Sequence, residues 1–232
     1  MPAVAACNKS KHADTLYHYT DLNAFLSIIQ NKKLWLTGAY NLNDHQEIRW
    51  TQQKIHKRLS EFASKHGAQR PDEIWNLLHA NSGVPYICSL SSEPDLLSQW
   101  RAYGQNGFGV AIGIKRASLP NSERLPILTF AKKDSLCLHQ VVYDEAAQEG
   151  LINSILAPAF LGAEIDDDAH LAMSMAAMQL AGLSSIFKNP AFSEEKEWRI
   201  IHKPVIMGKP GGYESKIQVS GAISNCRFNA DG

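Results

Sequence analysis

The chain lacks a surplus of either charge, because its 23 Lys and Arg residues are balanced by 23 Asp and Glu residues. A protein that binds a nucleic-acid backbone through bulk electrostatics needs a strongly basic surface, so this balance argues against that class and leaves only local basic patches. The 232 residues, 44% of them hydrophobic, can build a sizeable core. This length predicts one large domain, or one domain with a helical insertion.

Long hydrophobic runs are also missing. The most apolar stretch, residues 171–186, is interrupted by polar residues and falls short of the roughly 20 apolar residues of a membrane helix. No opening segment combines the basic start and apolar run of a signal peptide. We therefore expect a cytoplasmic protein without a membrane partner.

Cysteine is scarce, and the four cysteines are far apart with no C-x-x-C pair. Zinc sites and disulfide frameworks need closer or paired spacing, so neither is predicted. The nine His residues and the acidic runs show no metal-ligand spacing either. We expect no metal cofactor, and a metal-dependent nuclease is the weakest hypothesis.

Hydrophobic runs separated by helical patterns of uneven length predict an α+β chain. We expect a flexible tail over residues 1–13 and a single α+β domain over 14–207, with a mostly helical insertion at about 145–187. An irregular C-terminal segment that looks cut short is expected over 208–232. Within the domain, strands are predicted near residues 16–19, 34–37, 85–91, 110–114 and 138–143, and a last one begins at Glu197.

Helices are predicted over residues 22–30, 46–65 and 73–79, and a short one follows the third strand. The first has Thr20 or Asp21 as its cap and one apolar stripe of Leu22, Phe25, Leu26 and Ile29. A stripe of Met and Leu residues near position 175 indicates core packing or a subunit interface, so a homo-oligomer is one expectation.

A histidine, His18, occupies the middle of the first predicted strand, between Tyr17 and Tyr19. A lone strand histidine usually hydrogen-bonds a backbone group. Here the aromatic neighbours and the amides of the following helix start, which could accept a phosphate, favour a ligand role.

Two hydroxyls, Ser89 and Ser91, are two residues apart and therefore point to the same face of their strand. They could hydrogen-bond a ribose, or they could belong to an ordinary strand edge. The glycines at 104, 107 and 109 precede a strand, whereas a dinucleotide fingerprint follows one, so they predict a tight turn and a close backbone approach.

The run Glu194-Glu195-Lys196-Glu197 crowds like charges at the start of the last predicted strand. Crowding and burial both raise the pKa of a carboxyl group, which would suit Glu197 for chemistry. Glu197 and Arg199 share a strand face opposite Trp198, so a structural ion pair is the alternative.

Several motifs together resemble, in their order, a bacterial family catalogued as domain of unknown function 2971. The resemblance spans residues 16 to about 202, and its pieces are Leu16-Tyr17-His18-Tyr19-Thr20, Leu34-Trp35-Leu36, Leu42-Asn43-Asp44, Ser89-Leu90-Ser91, Trp100-Arg101-Ala102-Tyr103-Gly104, Gly107-Phe108-Gly109-Val110-Ala111-Ile112-Gly113, Val142-Tyr143 and Phe187-Lys188 through Arg199.

A more distant likeness connects the strand His and the late strand Glu to the ADP-ribosyltransferase fold. It implies two small central sheets around a cleft that binds NAD, with His18 on the adenosine ribose. Glu197 would bind the 2′-hydroxyl of the nicotinamide ribose as the catalytic residue and stabilise an oxocarbenium-like centre. The likeness further implies cofactor contacts from Tyr19, Ser89, Ser91, Tyr103 and Arg199, with Tyr40, Tyr86 and Tyr103 competing to stack on the ligand.

Two functional hypotheses follow from these resemblances. The first is an enzyme that cleaves NAD and transfers ADP-ribose to a protein side chain, a nucleic-acid base or water, as in toxins or anti-phage effectors. The alternative is a non-catalytic module with the same fold that binds a nucleotide or a protein. The first requires His18, the two serines and Glu197 to converge on one pocket of nucleotide size.

Overall fold

The computed structural model describes residues 13–39, 45–120, 124–128, 136–161, 166–205 and 216–219, so the predicted tail lies almost wholly outside it. In these ranges the helices are α1 (Leu22–Asn31), α2 (His45–His66), α3 (Gln69–Ala80), α4 (Leu97–Ala102), α5 (Glu145–Leu156) and α6 (Asp167–Leu183). The strands are β1 (Thr15–Thr20), β2 (Leu34–Gly38), β3 (Tyr86–Ser91), β4 (Val110–Lys115), β5 (Leu136–Gln140), β6 (Glu197–His202) and β7 (Lys216–Val219).

The seven described strands form one sheet whose neighbours are antiparallel, with β3 at its centre. One edge of β3 pairs with β6 along its whole length, and β6 continues to β5. Two strands pair with the other edge of β3: β2 at its beginning, at Tyr86 and Ile87, and β1 at its end, at Ser91. Mixed α+β architecture is therefore confirmed. The predicted pair of separate sheets is corrected to one sheet, since β3 is hydrogen-bonded to both branches.

The sheet has two faces, and the alternation of strand side chains assigns each residue to one of them. We call the side that packs against α2, α3, α5 and α6 the helical face, and it carries Ile87, Cys137 and Ile201. The other side, the α1 face, carries Leu16 and Cys88 with other apolar strand residues, and Ile28 of α1 packs there. Helices α5 and α6, which lie within residues 145–187, thus contribute to the main core.

Helix α1 begins after Asp21, whose carboxylate accepts a hydrogen bond from the Ala24 N–H at 2.8 Å. This side chain satisfies one of the free amides at the helix start, so Asp21 is the cap that the sequence left open between two residues. The apolar stripe of α1 contributes little to the core, because Ile28 is buried whereas Leu22, Leu26 and Ile29 are exposed.

A strand that the sequence analysis missed lies in the segment predicted to be irregular. Strand β7 pairs with β2 through residues such as Ile217 opposite Leu36 and Val219 opposite Leu34. Glycines lie on both sides of its four residues in the sequence, and they favour an irregular segment over a strand.

Gly109 allows a close backbone approach at the start of β4. A Cβ atom at this position would lie 2.3 Å from the Thr20 carbonyl oxygen. We therefore expect Gly109→Ala to lower the free energy of unfolding by about 1–3 kcal/mol, the usual cost of overpacking. The control is Gly150→Ala in α5, where a Cβ meets nothing within 4 Å.

The control should gain up to about 1 kcal/mol, because alanine is the better helix former. Urea unfolding of both variants measures the difference. Equal unfolding midpoints for the two variants would contradict the packing that we describe around Gly109.

Candidate functional site

A cluster of buried charges surrounds the beginning of β6 on the helical face. Arg199 Nε donates to Glu197 Oε1 at 2.8 Å and Nη2 donates to Oε2 at 3.0 Å, a two-pronged pair within one strand. The same Nη2 lies 2.8 Å from Glu47 Oε2 of α2. The Arg199 side chain is only 1% exposed, so these bonds lie in the protein interior. The structure therefore contains the ion pair between Glu197 and Arg199 that the sequence analysis gave as the alternative to a catalytic role.

Lys188 is the second cation of this cluster. Its Nζ lies 2.7 Å from Glu195, 3.0 Å from Glu47 and 3.2 Å from Glu197. Two cations thus face three carboxylates, so the fully ionised cluster carries one net negative charge. Each carboxylate contacts at least one cation, which offsets the cost of removing these charges from water.

The electrostatics of Glu197 differ from the sequence prediction. Burial alone would raise the pKa of its carboxyl group, but Arg199 and Lys188 lower it to about 2. The predicted increase in pKa from like-charge crowding is therefore wrong, because Arg199 and Lys188 both hydrogen-bond the Glu197 carboxylate. Burial does raise the pKa of Glu195, even though Lys188 opposes the increase. For Lys188, burial opposes protonation of the amine. Glu197 and Glu47 outweigh this effect and raise the pKa of the amine.

The two predicted serines lie beside this cluster. Ser89 and Ser91 face Arg199 and Glu197 in the register between β3 and β6, so they share the helical face as their spacing predicts. The Ser91 hydroxyl donates to the Glu195 carbonyl oxygen at 2.8 Å, and the Ser89 hydroxyl hydrogen-bonds Glu197. Both hydroxyls therefore have partners within the protein: Ser89 supports the Glu197 carboxylate, and Ser91 binds backbone groups.

His18 lies on the opposite face of the sheet. Tyr17 is paired with Ser91, so it shares the helical face, and His18 as the next residue points to the α1 face. Its Nδ1 donates to the Ser89 carbonyl oxygen at 3.0 Å and lies 3.8 Å from Cys88 Sγ. Burial opposes protonation, but Cys88 and the Ser89 carbonyl oxygen raise the pKa of His18 to about 9. The structure therefore brings the serines, Glu197 and Arg199 together without His18.

A second candidate region is the segment of residues 95–108 that contains α4, which we call the α4 loop. Tyr19 anchors it, because its hydroxyl donates to the Glu93 carbonyl oxygen at 2.7 Å and accepts from the Leu96 N–H at 3.1 Å. The Tyr19 ring meets the Trp100 ring edge-on at 4.9 Å, and Trp100 Nε1 donates to Asp95 Oδ1 at 2.7 Å. These contacts fix the loop against β1.

An open pocket of about 360 Å³ lies on the α4 loop, lined by Asp95, Leu97, Trp100, Arg101, Asn106 and Gly107. Large side chains project from the same segment, and Phe108 is 79% exposed. The backbone has positive φ at three successive residues, which are Gln105 at 48°, Asn106 at 55° and Gly107 at 95°. Residues other than glycine adopt this conformation rarely, and such positions cluster at ligand sites.

The competing tyrosines are now separated. Tyr86 is buried on the α1 face, so it cannot stack on a ligand at the surface. Tyr40 lies outside the described residues. Tyr103 is half-exposed on the α4 loop, outside the lining of the pocket.

Sequence reasoning did not identify Glu47, Lys188 or Tyr143 as members of the buried cluster. Tyr143 contributes its hydroxyl oxygen, which accepts from the Glu197 N–H at 3.2 Å. The signal was present for two of them, because Lys188 and Tyr143 belong to the motif pieces of the family resemblance. Glu47 had no such signal, since its partner Arg199 is 152 residues away.

Two features are absent from the part of the chain that the structure describes: a metal-binding cluster and a membrane-spanning helix. Within those ranges, no group of three or more His, Cys, Asp or Glu side chains is arranged to hold a metal ion. None of the helices described here combines the length and apolar character needed to span a membrane.

Comparison with known proteins returns one family. The family described as "Protein of unknown function (DUF2971)" matches residues 99–200, which confirms the resemblance over the motifs from Trp100 to Arg199. The match includes the later part of the α4 loop and the Lys188, Glu195, Glu197 and Arg199 cluster. No curated protein and no solved structure matches the chain. The comparisons therefore give the ADP-ribosyltransferase likeness no support.

Proposed function

We propose that this protein is a nucleotide-binding module whose ligand site is the pocket on the α4 loop. The observation that carries the proposal is Phe108, 79% exposed on a loop that is anchored by Tyr19 and Trp100 beside an open pocket. Large exposed aromatic side chains on a fixed loop are typical of binding sites, because they offer contact area with little entropy to lose.

The pocket and the aromatic side chains that lie on the same loop outside it have chemistry that suits a nucleotide. Phe108 and Tyr103 present aromatic rings on which a base could stack, an interaction worth about 1–3 kcal/mol per base. Arg101 is exposed at the pocket lining, where its guanidinium can hydrogen-bond a phosphate. Asn106 supplies an amide for a base or ribose. The volume of about 360 Å³ lies in the usual range for small-molecule sites.

The rival hypothesis is NAD cleavage with Glu197 as the catalytic residue. Its carboxylate would need to contact a ribose hydroxyl, yet Arg199 and Lys188 occupy both oxygens and the side chain is 6% exposed. His18, the expected ribose contact, lies across the sheet. We therefore favour a structural role for Glu197, and the free Cys88 and Cys137 thiols suit the reduced cytoplasm expected from the sequence.

Calorimetric titration with ADP and NAD tests the binding proposal. We expect both nucleotides to bind, and Phe108→Ala to weaken binding about tenfold through loss of base stacking. Arg101→Ala should weaken ADP more than adenosine, since the guanidinium contacts phosphate. The matched control is Leu161→Ala, another highly exposed apolar side chain, which should leave both affinities unchanged. If the unmodified, folded protein gave no heat of binding with ADP or with NAD, the proposal would be overturned.

Measurement of nicotinamide release separates this proposal from the rival. We expect no release with the unmodified protein. Release that is abolished by Glu197→Gln but retained by Phe108→Ala would establish NAD cleavage instead. Because Glu197→Gln is expected to be less stable, the assay should be run where circular dichroism shows that the variant is folded.

A further inference from the structure

Lys203, one residue after β6, is a buried cation outside the charge cluster. Its side chain is 2% exposed, and its Nζ donates to the Ala181 carbonyl oxygen at 3.1 Å. No carboxylate within the described residues pairs with it, which distinguishes it from Lys188 and Arg199. An ammonium group without a counter-charge in the interior is costly, so the surroundings of Lys203 need an explanation.

A small, partly open cavity of about 20 Å³ adjoins Lys203. Thr51 of α2 lines it too, and the Thr51 hydroxyl is fully buried without a hydrogen-bond partner among the described residues. Two further lining hydroxyls are occupied, because Ser82 donates to the Leu78 carbonyl oxygen and Ser184 to that of Ala181. The buried groups with hydrogen-bonding capacity to spare are therefore the remaining N–H donors of Lys203 and the Thr51 hydroxyl, and the half-buried Gln52 amide lines the cavity beside them.

We propose that this cavity binds a monatomic monovalent anion, such as chloride, between the Lys203 ammonium and the Thr51 hydroxyl. The volume fits a particle about the size of one water molecule, which excludes phosphate and carboxylate ligands. A water molecule would satisfy hydrogen bonds but would leave the charge uncompensated. An anion compensates the charge and accepts hydrogen bonds from both donors.

The binding must depend on pH, because the ammonium form is the partner of the anion. Burial lowers the pKa of Lys203 to about 8 in the protein without an anion. Lys203 is the one titratable side chain among the described residues that line the cavity, since α2, α3 and α6 contribute only apolar, hydroxyl or amide groups there. Anion affinity should therefore be highest below pH 8 and fall by up to tenfold per pH unit above it.

Thermal unfolding with added sodium chloride or sodium gluconate tests the site at matched ionic strength. At pH 6.5 we expect chloride to raise Tm progressively beyond gluconate, an anion too large for the cavity, as mass action requires. Lys203→Met replaces the ammonium group with an uncharged, unbranched side chain one heavy atom shorter and should abolish the chloride-specific increase. Thr51→Val should reduce it, whereas the exposed Lys57→Met serves as a control that leaves it intact.

A crystal soaked in bromide gives a second measurement that does not depend on stability. We expect an anomalous peak beside Lys203 Nζ in the unmodified protein and none in Lys203→Met. Ordinary water density without an anomalous signal, equal Tm in chloride and gluconate, or a chloride effect that persists in Lys203→Met would each overturn the proposal.

Discussion

Arg199→Leu is expected to lower the free energy of unfolding by about 3–5 kcal/mol, the cost of breaking a buried ion pair from one side. The substitution leaves Glu197 and Glu47 close together in the interior with Lys188 as their shared cation. It also removes the donor that Arg199 Nη1 offers to the Ser185 carbonyl oxygen. Equilibrium urea unfolding at neutral pH measures the change.

Two variants give this measurement its controls. Arg49→Leu replaces an exposed arginine of α2 and should change the unfolding free energy by less than about 0.5 kcal/mol. Arg199→Lys keeps the charge but loses the two-pronged geometry, so an intermediate loss is expected. If Arg199→Leu proved as stable as Arg49→Leu, the cluster would not be the interior anchor that we describe.

Glu197→Gln is expected to lose about 3 kcal/mol of unfolding free energy at pH 7 but little at pH 2. The folded-state pKa of Glu197 is about 2, below the ordinary 4.5 of a glutamate. Its ionisation therefore stabilises the fold fully above pH 4.5, and this contribution is lost as the pH falls from 4.5 towards 2. Replacing the carboxyl group with an amide removes this pH-dependent contribution.

The measurement is the unfolding free energy of both proteins at several pH values between 7 and 2. The two curves should converge as the pH decreases. Glu145→Gln is a matched control, because Glu145 pairs with Lys54 at the surface and contributes little. Parallel curves for Glu197→Gln and the unmodified protein would show that Glu197 titrates normally and is not held by Arg199 and Lys188.

The buried charge cluster connects the helical layer to the sheet. Glu47 belongs to α2, Arg199 to β6, and Lys188 to the connection between α6 and β6. Charge-assisted hydrogen bonds among them tie the helical layer to the sheet at one fixed geometry. The residues that looked most suited to catalysis in the sequence are thus engaged in holding the fold, while the exposed α4 loop is accessible to a ligand.

Local patterns were sufficient to predict most elements. Short hydrophobic runs predicted β3 and β4 within one residue, and the period of 3.6 predicted α2 within one residue at each end. The four-residue strand β7 was missed, although equally short signals at residues 16–19 and 34–37 predicted β1 and β2. Strand partners also could not be predicted, because pairing depends on contacts between distant segments. Local patterns therefore could not distinguish two sheets from one sheet joined through β3.

By itself the sequence determined which side chains share a strand face, since alternation along a strand is local; Ser89 with Ser91, and Glu197 with Arg199, followed from spacing alone. Whether His18 and Glu197 point to the same side of the sheet depends on the register of β1 against β3, and the folded arrangement places them on opposite sides. The tertiary structure also decided the charge state of Glu197, since Glu47 and Lys188 reach the cluster from other elements. A carboxylate's chemistry depends on its neighbours in space, and long-range folding chooses them.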